Sequence, residues 1–409
     1  MSEAPRLLML TQYFPPEMGA PQARLSELGD RLKHFGWSVE VLTALPNYPE
    51  GKVRKGYQPL KPVVEEIAGM RTVRVPLYPA QKGFTKRVAS YMSFASSAAV
   101  FGPALCKRPD LLFVESPPLF IGFGALALSA AFRRPYVFNV SDLWPESAIR
   151  MGVVKPGTAT MIAERFEETL YRRAAGVTGQ SSEILDEVRR KAPQVPTELV
   201  TNGVTPGRWG KAKSTPQAKA LLGDEPGPVF VFAGLLGLAQ GLDAVLDLMK
   251  SLDPSVPGRT VLIGDGPVRA HLEQRVRDEK ISRVKLVPAQ PREAIPALLA
   301  SADVALISLG MDIPGAVPSK IYEAMASELP ILLVASGEAA RRVTDAKAGL
   351  AVNPGDAAGL RAHFERLARD PALRAELAKG GRSAAETLYD RDHIAERLDR
   401  FLRGLIERR

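Results

Sequence analysis

A lysine and a glutamate set one helical turn apart, Lys320 and Glu323, stand in the run Pro318-Ser319-Lys320-Ile321-Tyr322-Glu323-Ala324-Met325-Ala326, which leads into the apolar Pro330-Ile331-Leu332-Leu333-Val334. The pattern predicts a loop, a short helix and a buried strand. Ser319 can cap that helix, so that Lys320 and the free N–H groups of the first turn face one point, where an anion such as a diphosphate would be held. The Glu323 carboxylate can accept hydrogen bonds from two neighbouring hydroxyls, as on a ribose, while Lys320 neutralises the attached phosphates. The chemistry suggested is a grip on a nucleotide sugar. The plain alternative is a Glu and a Lys that only solvate a helix surface.

Other segments could complete such a grip. After an apolar strand at 229–233 come Gly234, Leu235, Leu236, Gly237, Leu238, Ala239, Gln240 and Gly241, then an amphipathic stretch from Leu242. Glycines between a strand and a helix N-terminus let backbone approach a phosphate closely. Ile263-Gly264-Asp265-Gly266-Pro267 is a second turn of this kind and Val287-Pro288-Ala289-Gln290-Pro291 a third. Near the N-terminus a strand runs into a loop that ends in Gly19-Ala20-Pro21-Gln22-Ala23-Arg24 at a helix start. Arg24, one turn in, can supply a cation or simply be a solvated helix residue. Asn139-Val140-Ser141-Asp142-Leu143-Trp144-Pro145-Glu146 follows a buried strand and puts two carboxylates and an indole at the carboxyl edge of a sheet, where ligands of open α/β domains bind. Capping a helix is the plain alternative for Asp142, a role it shares with the acidic pair of Asp390-Arg391-Asp392 ahead of the terminal helix.

Taken together, these segments resemble the retaining glycosyltransferases of family four, and the resemblance runs through most of the chain. It implies the GT-B fold, in which two Rossmann-like, doubly wound α/β domains face a cleft and the last helix crosses back to the first domain. It makes Glu323 the second member of a Glu-x7-Glu pair, the one that holds the donor ribose. The first position of that pair is Gly315. The resemblance also implies donor contacts from Gly19, Ala20 and Arg24, from Gly234, Gly237 and Gln240, from Gly264 and Gly266, from the backbone of Pro288, Ala289 and Gln290 near the nucleobase, and from Ser319, Lys320, Ile321 and Glu323. The family's arginine and lysine in the first glycine loop are replaced by Leu235 and Gln240, which leaves Lys320 as the main side-chain charge for the diphosphate. The Leu-Ala-Gln-Gly form of that loop resembles the bacterial aminosugar transferases of O-antigen and capsule assembly. Asp142 and Glu146 become candidates for orienting an acceptor hydroxyl, Asp142 with a catalytic part beside Lys320 and Glu323, and Trp144 a wall for a sugar ring.

Composition narrows the class. The chain has 409 residues, 45% hydrophobic and 24% charged, as a globular protein of two or three domains would. One cysteine, Cys106, excludes an internal disulfide, and four scattered histidines offer neither a zinc site nor a histidine triad. No metal and no cofactor is therefore expected. The net charge of +9 is concentrated in residues 50–110, which carry eleven Lys or Arg against four Asp or Glu. Such a patch suits nucleic acid, a membrane surface or a phosphate-bearing substrate, and composition does not choose among them; no nucleic-acid partner is expected. Two uncharged runs, 88–105 and 116–132, contain Ser, Gly or Pro and read better as helices buried on a parallel sheet than as membrane spans. The first apolar run is too short for a secretory signal, so a cytoplasmic protein is expected, peripheral on the inner membrane's cytoplasmic face.

Apolar strands alternate with helical stretches from end to end, the signature of doubly wound α/β domains. Strands are predicted at 7–11, 39–43, 72–75, 111–114, 136–139 and 199–200, then at 229–233, 260–263, 284–287, 304–307, 331–334 and 350–352. The expected division is an acceptor domain 1–205, a nucleotide-sugar domain 206–382 and a returning helix 383–409. The activity expected is transfer of a sugar, an N-acetyl-aminosugar by resemblance, from a UDP-sugar to a saccharide acceptor, polyprenyl-diphosphate-linked, in making a surface polysaccharide. A UDP-aminosugar 2-epimerase of the same fold and a catalytically silent nucleotide-sugar-binding protein are the alternatives.

Overall fold

A computed structural model describes residues 4–80, 83–150 and 152–407. The chain forms two compact units, one running to Thr201 and resuming at Asp392, the other comprising Asn202–Arg391. Of the predicted breaks, 205/206 lies just past the first of these divisions. The other, 382/383, falls inside the continuous helix Pro371–Thr387, and the chain re-enters the first unit only after that helix has ended.

The first unit is built on eight strands: β1 (Arg6–Leu10), β2 (Ser38–Ala44), β3 (Val63–Ile67), β4 (Met70–Val75), β5 (Leu111–Ser116), β6 (Tyr136–Val140), β7 (Gly176–Gly179) and β8 (Thr197–Leu199), in the order β3-β4-β2-β1-β5-β6-β7-β8. All pairs are parallel except β3 with β4. Parallel strands need cover on both faces, and alternate residues of β1 supply it: Leu8 and Leu10 enter one apolar cluster, Leu7 and Met9 another. The second cluster is closed by the helix Arg391–Glu407 through Ile394, Leu398, Leu402 and Leu405. That helix is pinned by Trp37 Nε1, which donates to Asp399 at 2.6 Å, and by Arg403, which donates to the Phe35 carbonyl at 2.6 Å. The other face is covered by Phe84–Leu105, which buries Phe94, Ala95 and Ala98, and by Ile121–Phe132. Among the described residues, Phe84–Leu105 is the one helix long and apolar enough to cross a membrane by length and composition.

The second unit has six parallel strands, β9 (Val229–Ala233), β10 (Arg259–Ile263), β11 (Val284–Val287), β12 (Val304–Ser308), β13 (Ile331–Val334) and β14 (Gly349–Val352), ordered β11-β10-β9-β12-β13-β14. The order reverses between β9 and β12, and the corresponding reversal in the first unit lies between β1 and β5. At such a switch point the loops leaving neighbouring strands diverge and open a crevice at the carboxyl edge.

Two strands escaped the sequence reading. In β3 the sequence Val-Val-Glu-Glu-Ile is half exposed, as befits the outer member of an edge hairpin. In β7 the sequence Gly-Val-Thr-Gly reads as a turn. Gly176 is needed there because the Phe401 ring packs so closely that a Cβ would lie 2.7 Å from it.

Candidate functional site

The second unit brings most of the expected donor residues to the switch point. The loop leaving β9 begins at Gly234, whose φ of +141° is open to glycine and to few other residues. Its side-chain-free face is filled by the end of Lys320. Gly264 and Gly266, after β10, lie against the carbonyls of Gly234 and Leu236, and Leu236 N–H donates to the Asp265 carbonyl at 2.9 Å. Gly310, after β12, closes the far side of the β9 loop through its N–H to the Ala239 carbonyl at 2.6 Å. Three strand-end loops thus pack backbone on backbone beneath Lys320.

Lys320 and Glu323 are carried by the helix Ser319–Ala326, whose Ile321, Tyr322, Ala324 and Met325 are buried against the sheet. The buried face orients the opposite one, and Lys320 and Glu323 emerge half-buried beside a small crevice of about 20 Å³ lined also by Val231, Ala233 and Ile307. The Lys320 ammonium lies 4.0 Å from the centroid of the Phe232 ring and, among the described residues, forms no ion pair. Burial pushes its pKa down to about 8 against the opposing pull of Glu323. Burial also raises the Glu323 carboxyl, while Arg292, Arg391 and Lys320 work the other way. No hydrogen bond reaches that carboxylate among the described residues. A cation and a carboxylate, both stripped of much of their water and without partners, are groups that a ligand bearing phosphate and hydroxyls would satisfy.

Several expectations change in detail. Ser319 is not the cap: Pro318 holds that position in an extended conformation, no side chain caps the helix, and Ser319 is its first residue. The proline ring fixes φ at −60°, so the chain turns into the helix one residue earlier than an Ser319 cap would require. Gln240 turns inward, its Oε1 accepting from Gly237 N–H at 3.1 Å, and so it braces its own loop. Gln290 folds back likewise, donating to the Pro288 carbonyl at 3.0 Å, whereas Pro288 and Ala289 are exposed at the end of β11. Gly315 sits in a turn with φ +74°, which disfavours the glutamate that the family pattern places there. The sequence reading passed over Phe232, whose ring faces Lys320, and Arg292 and Arg391, whose charges act on Glu323. It also missed Arg269, which donates to the carbonyls of Gly264 and Val287 and ties the ends of β10 and β11. Arg292 follows the expected nucleobase loop directly, and that adjacency was the available signal.

In the first unit, Gly19 precedes the helix Ala20–His34 in extended conformation, and Ala20 is the first helical residue. Arg24 is no free cation. It is 5% exposed and donates from Nη2 to Glu115 Oε1 at 2.6 Å and to Ser141 Oγ at 3.1 Å. Glu115 sits on the fully buried strand β5, so the pair is neutral at the carboxyl edge. Asp142 accepts from Ser147 Oγ at 2.9 Å, and burial raises its carboxyl. Trp144 packs edge-on against Phe120 at 5.3 Å between centroids. Glu146 pairs with Arg150 at 3.1 Å.

Known glycosyltransferases resemble both parts of the chain in sequence. Residues 19–203 match the glycosyl transferase 4-like domain and residues 214–384 the glycosyl transferases group 1 domain. The putative colanic acid biosynthesis glycosyl transferase WcaI of Escherichia coli K12 is 25% identical over 334 residues, spanning 78% of this chain and 81% of its own. Among solved structures, sucrose-phosphate synthase from Thermosynechococcus elongatus superposes with a TM-score of 0.75 at 20% identity, over 99% of this chain and 100% of the other. Anabaena Alr3699/HepE, solved with UDP, gives 0.72 at 16% identity over 98% and 100%; it has also been solved with UDP-glucose. The chain joins a glycosyl transferase 4-like domain to a group 1 glycosyl transferase domain, and it is a glycosyltransferase of GT-B type.

Proposed function

We propose that the protein transfers a sugar, with retention at the anomeric carbon, from a UDP-linked donor to a saccharide acceptor carried on a polyprenyl diphosphate, in the assembly of a surface polysaccharide. The observation that carries this reading is the pair Lys320 and Glu323, half-buried on one helix at the switch point and, among the described residues, both without a hydrogen bond or an ion pair. A diphosphate meets Lys320 and the first-turn N–H groups, and the ribose diol donates to Glu323. Similarity to WcaI in sequence and to HepE with UDP in fold supports polysaccharide synthesis and a UDP donor.

In the step itself, the bond from the anomeric carbon to the β-phosphate oxygen breaks as the acceptor oxygen bonds that carbon on the same face, and the acceptor proton passes to a phosphate oxygen of the leaving UDP. Lys320 and the helix N-terminus stabilise the charge that develops on the diphosphate, a type of contribution worth about 10² to 10³ in rate per group. No metal is assigned to this role. Among the described residues no three His, Cys, Asp or Glu side chains come together in a group that could hold one, and full activity in EDTA is the check. The protein acts at the cytoplasmic face of the inner membrane in this reading.

Titration with UDP tests the grip. Glu323→Ala should lose about 1.5–3 kcal/mol of binding for each hydrogen bond removed from the charged acceptor, with the melting temperature of the free protein little changed. Unaltered UDP affinity in the folded variant would remove Glu323 from the site and, with it, the reading built on it.

A further inference from the structure

The largest hollow of those described in the first unit, about 580 Å³, lies over the ends of β1 and β2, between the loops that carry Pro16, Glu17 and Met18 and residues 46–55. Its base is tied together by Glu17, a carboxylate only 4% exposed. Glu17 accepts the N–H groups of Asn47 at 2.7 Å and Tyr48 at 2.8 Å through one oxygen, and that of Phe14 at 3.3 Å through the other. With both oxygens engaged by backbone, Glu17 is a brace between two loops. On the rim, Lys52, Arg54 and Lys55 are exposed and form no ion pair among the described residues, and Glu50 is the sole acid lining the rim beside them. Met18, 87% exposed, and Tyr48 and Val53 give the same hollow an apolar wall. The Asn47 side chain, 2% exposed, has donated its amide to the Leu45 carbonyl, and its Oδ1 is buried without a partner.

Three unpaired cations, an apolar wall and a spare buried acceptor describe a ligand with phosphate, hydrocarbon and a hydroxyl or amide donor. We propose that this hollow holds the diphosphate end of the acceptor, an isoprenyl-diphosphate-linked saccharide, with Lys52, Arg54 and Lys55 on the phosphates and Met18, Tyr48 and Val53 against the first isoprene units. The proposal rests on the glycosyltransferase reading and adds to it a site and a recognition chemistry for the acceptor. An amphiphile of this kind gains from both halves of the hollow, whereas inorganic anions gain only from the rim. Lys82, another basic residue of this segment, lies outside the described residues, and Lys86 and Arg87 lie at the start of the helix Phe84–Leu105, outside the hollow.

Calorimetry with farnesyl diphosphate, on the whole protein in saturating UDP, tests the site without a turnover assay. Farnesyl diphosphate should bind wild type, and a Lys52→Gln, Arg54→Gln, Lys55→Gln variant should bind it at least tenfold more weakly, the loss expected from removing even part of roughly 1 kcal/mol per basic group. Met18→Asp should weaken it as well, and inorganic pyrophosphate should bind wild type more weakly than the farnesyl ester. Equal affinity in the triple variant, displacement by UDP, or pyrophosphate binding as tightly as farnesyl diphosphate would each overturn the proposal. So would binding to vesicles containing phosphatidylglycerol without any binding of farnesyl diphosphate, which would make the rim a membrane-surface patch. UDP affinity, measured on the same variants, should not move. If wild type failed to bind UDP, the nucleotide-sugar reading would fall, whereas the farnesyl diphosphate result would still stand or fall by itself.

Discussion

The ammonium of Lys320 rests 4.0 Å from the centre of the Phe232 ring, on a strand residue that is itself fully buried. A cation in that position gains about 0.5–2 kcal/mol from the ring quadrupole, yet it gives up much of its hydration and, among the described residues, forms no ion pair, the pull of Glu323 offsetting the burial only in part. Its lowered pKa is the measure of that deficit. The helix N-terminus beside it adds positive potential. An anion arriving here relieves both, so the same features that destabilise the empty site strengthen the filled one.

This sets the pH dependence of nucleotide binding. In the free protein Lys320 is charged below about 8 and loses its proton above. Bound diphosphate favours the charged form and raises that pKa in the complex. UDP affinity should therefore be full below about pH 8 and decline as pH rises beyond it, until the pKa of the complex is passed. For folding the sign is opposite: a buried lysine with a depressed pKa contributes stability at high pH that is lost as pH falls through about 8. Calorimetric titration of UDP between pH 6.5 and pH 9.5 (roughly one and a half units to either side) checks the first statement. Lys320→Met, which keeps the contact with Phe232, should flatten the profile.

Gly234 gives a second test, one that leaves all charges in place. Its φ of +141° strains any other residue, and a Cβ would enter the volume held by the end of Lys320. Gly234→Ala should cost about 1–3 kcal/mol of stability and displace the lysine, so UDP binding should weaken along with the melting temperature. Calorimetry and a thermal melt read both. A variant that melts and binds like wild type would show that Lys320 does not depend on this loop.

How much of this could be read without coordinates varies by residue. The predicted strands are present, the one at 199–200 shifted to Thr197–Leu199, because continuous apolar runs such as Val229–Ala233 and Ile331–Val334 admit few other roles in an alternating chain. The strand at Gly176–Gly179 was hidden because Gly176 answers to Phe401, far away in sequence, and Gly179 to Leu185 and Ile184 of the following helix. At the site, Lys320, Glu323 and the glycine turns were legible from local pattern. The pairing of Arg24 with Glu115 was not, since it joins a helix to a strand 91 residues further along the chain, and a charge on a helix start looks the same whether paired or free. The inward turn of Gln240 depends on the φ and ψ of its own loop, which composition does not specify.

The empty side-chain position at Gly315 predicts a donor preference. By the family resemblance this position would carry the first glutamate of the pair, one that bonds hydroxyls of the donor sugar, and here a left-handed turn with φ +74° occupies it. A fully hydroxylated hexose would leave polar groups poorly paired, at roughly 1–3 kcal/mol for each one buried. Wild type offered UDP-glucose, GDP-mannose and several UDP-N-acetyl sugars in one reaction should show the highest kcat/KM with an N-acetyl or less hydroxylated sugar. A higher value for UDP-glucose or GDP-mannose than for every N-acetyl donor would contradict the inference from Gly315.

In the proposed function the Lys320 site holds a nucleotide sugar and drives the departure of its diphosphate during transfer. Its most direct test is the rate of UDP release from a UDP-N-acetyl sugar, measured with and without a panel of polyprenyl-diphosphate saccharides, in wild type and in Lys320→Met. Release should depend on an added acceptor, and Lys320→Met should lower kcat by about 10² to 10³ while the fold, judged by its melting curve, persists. Release at the wild-type rate in the folded variant, or release indifferent to acceptor as an epimerase would give, would contradict that function.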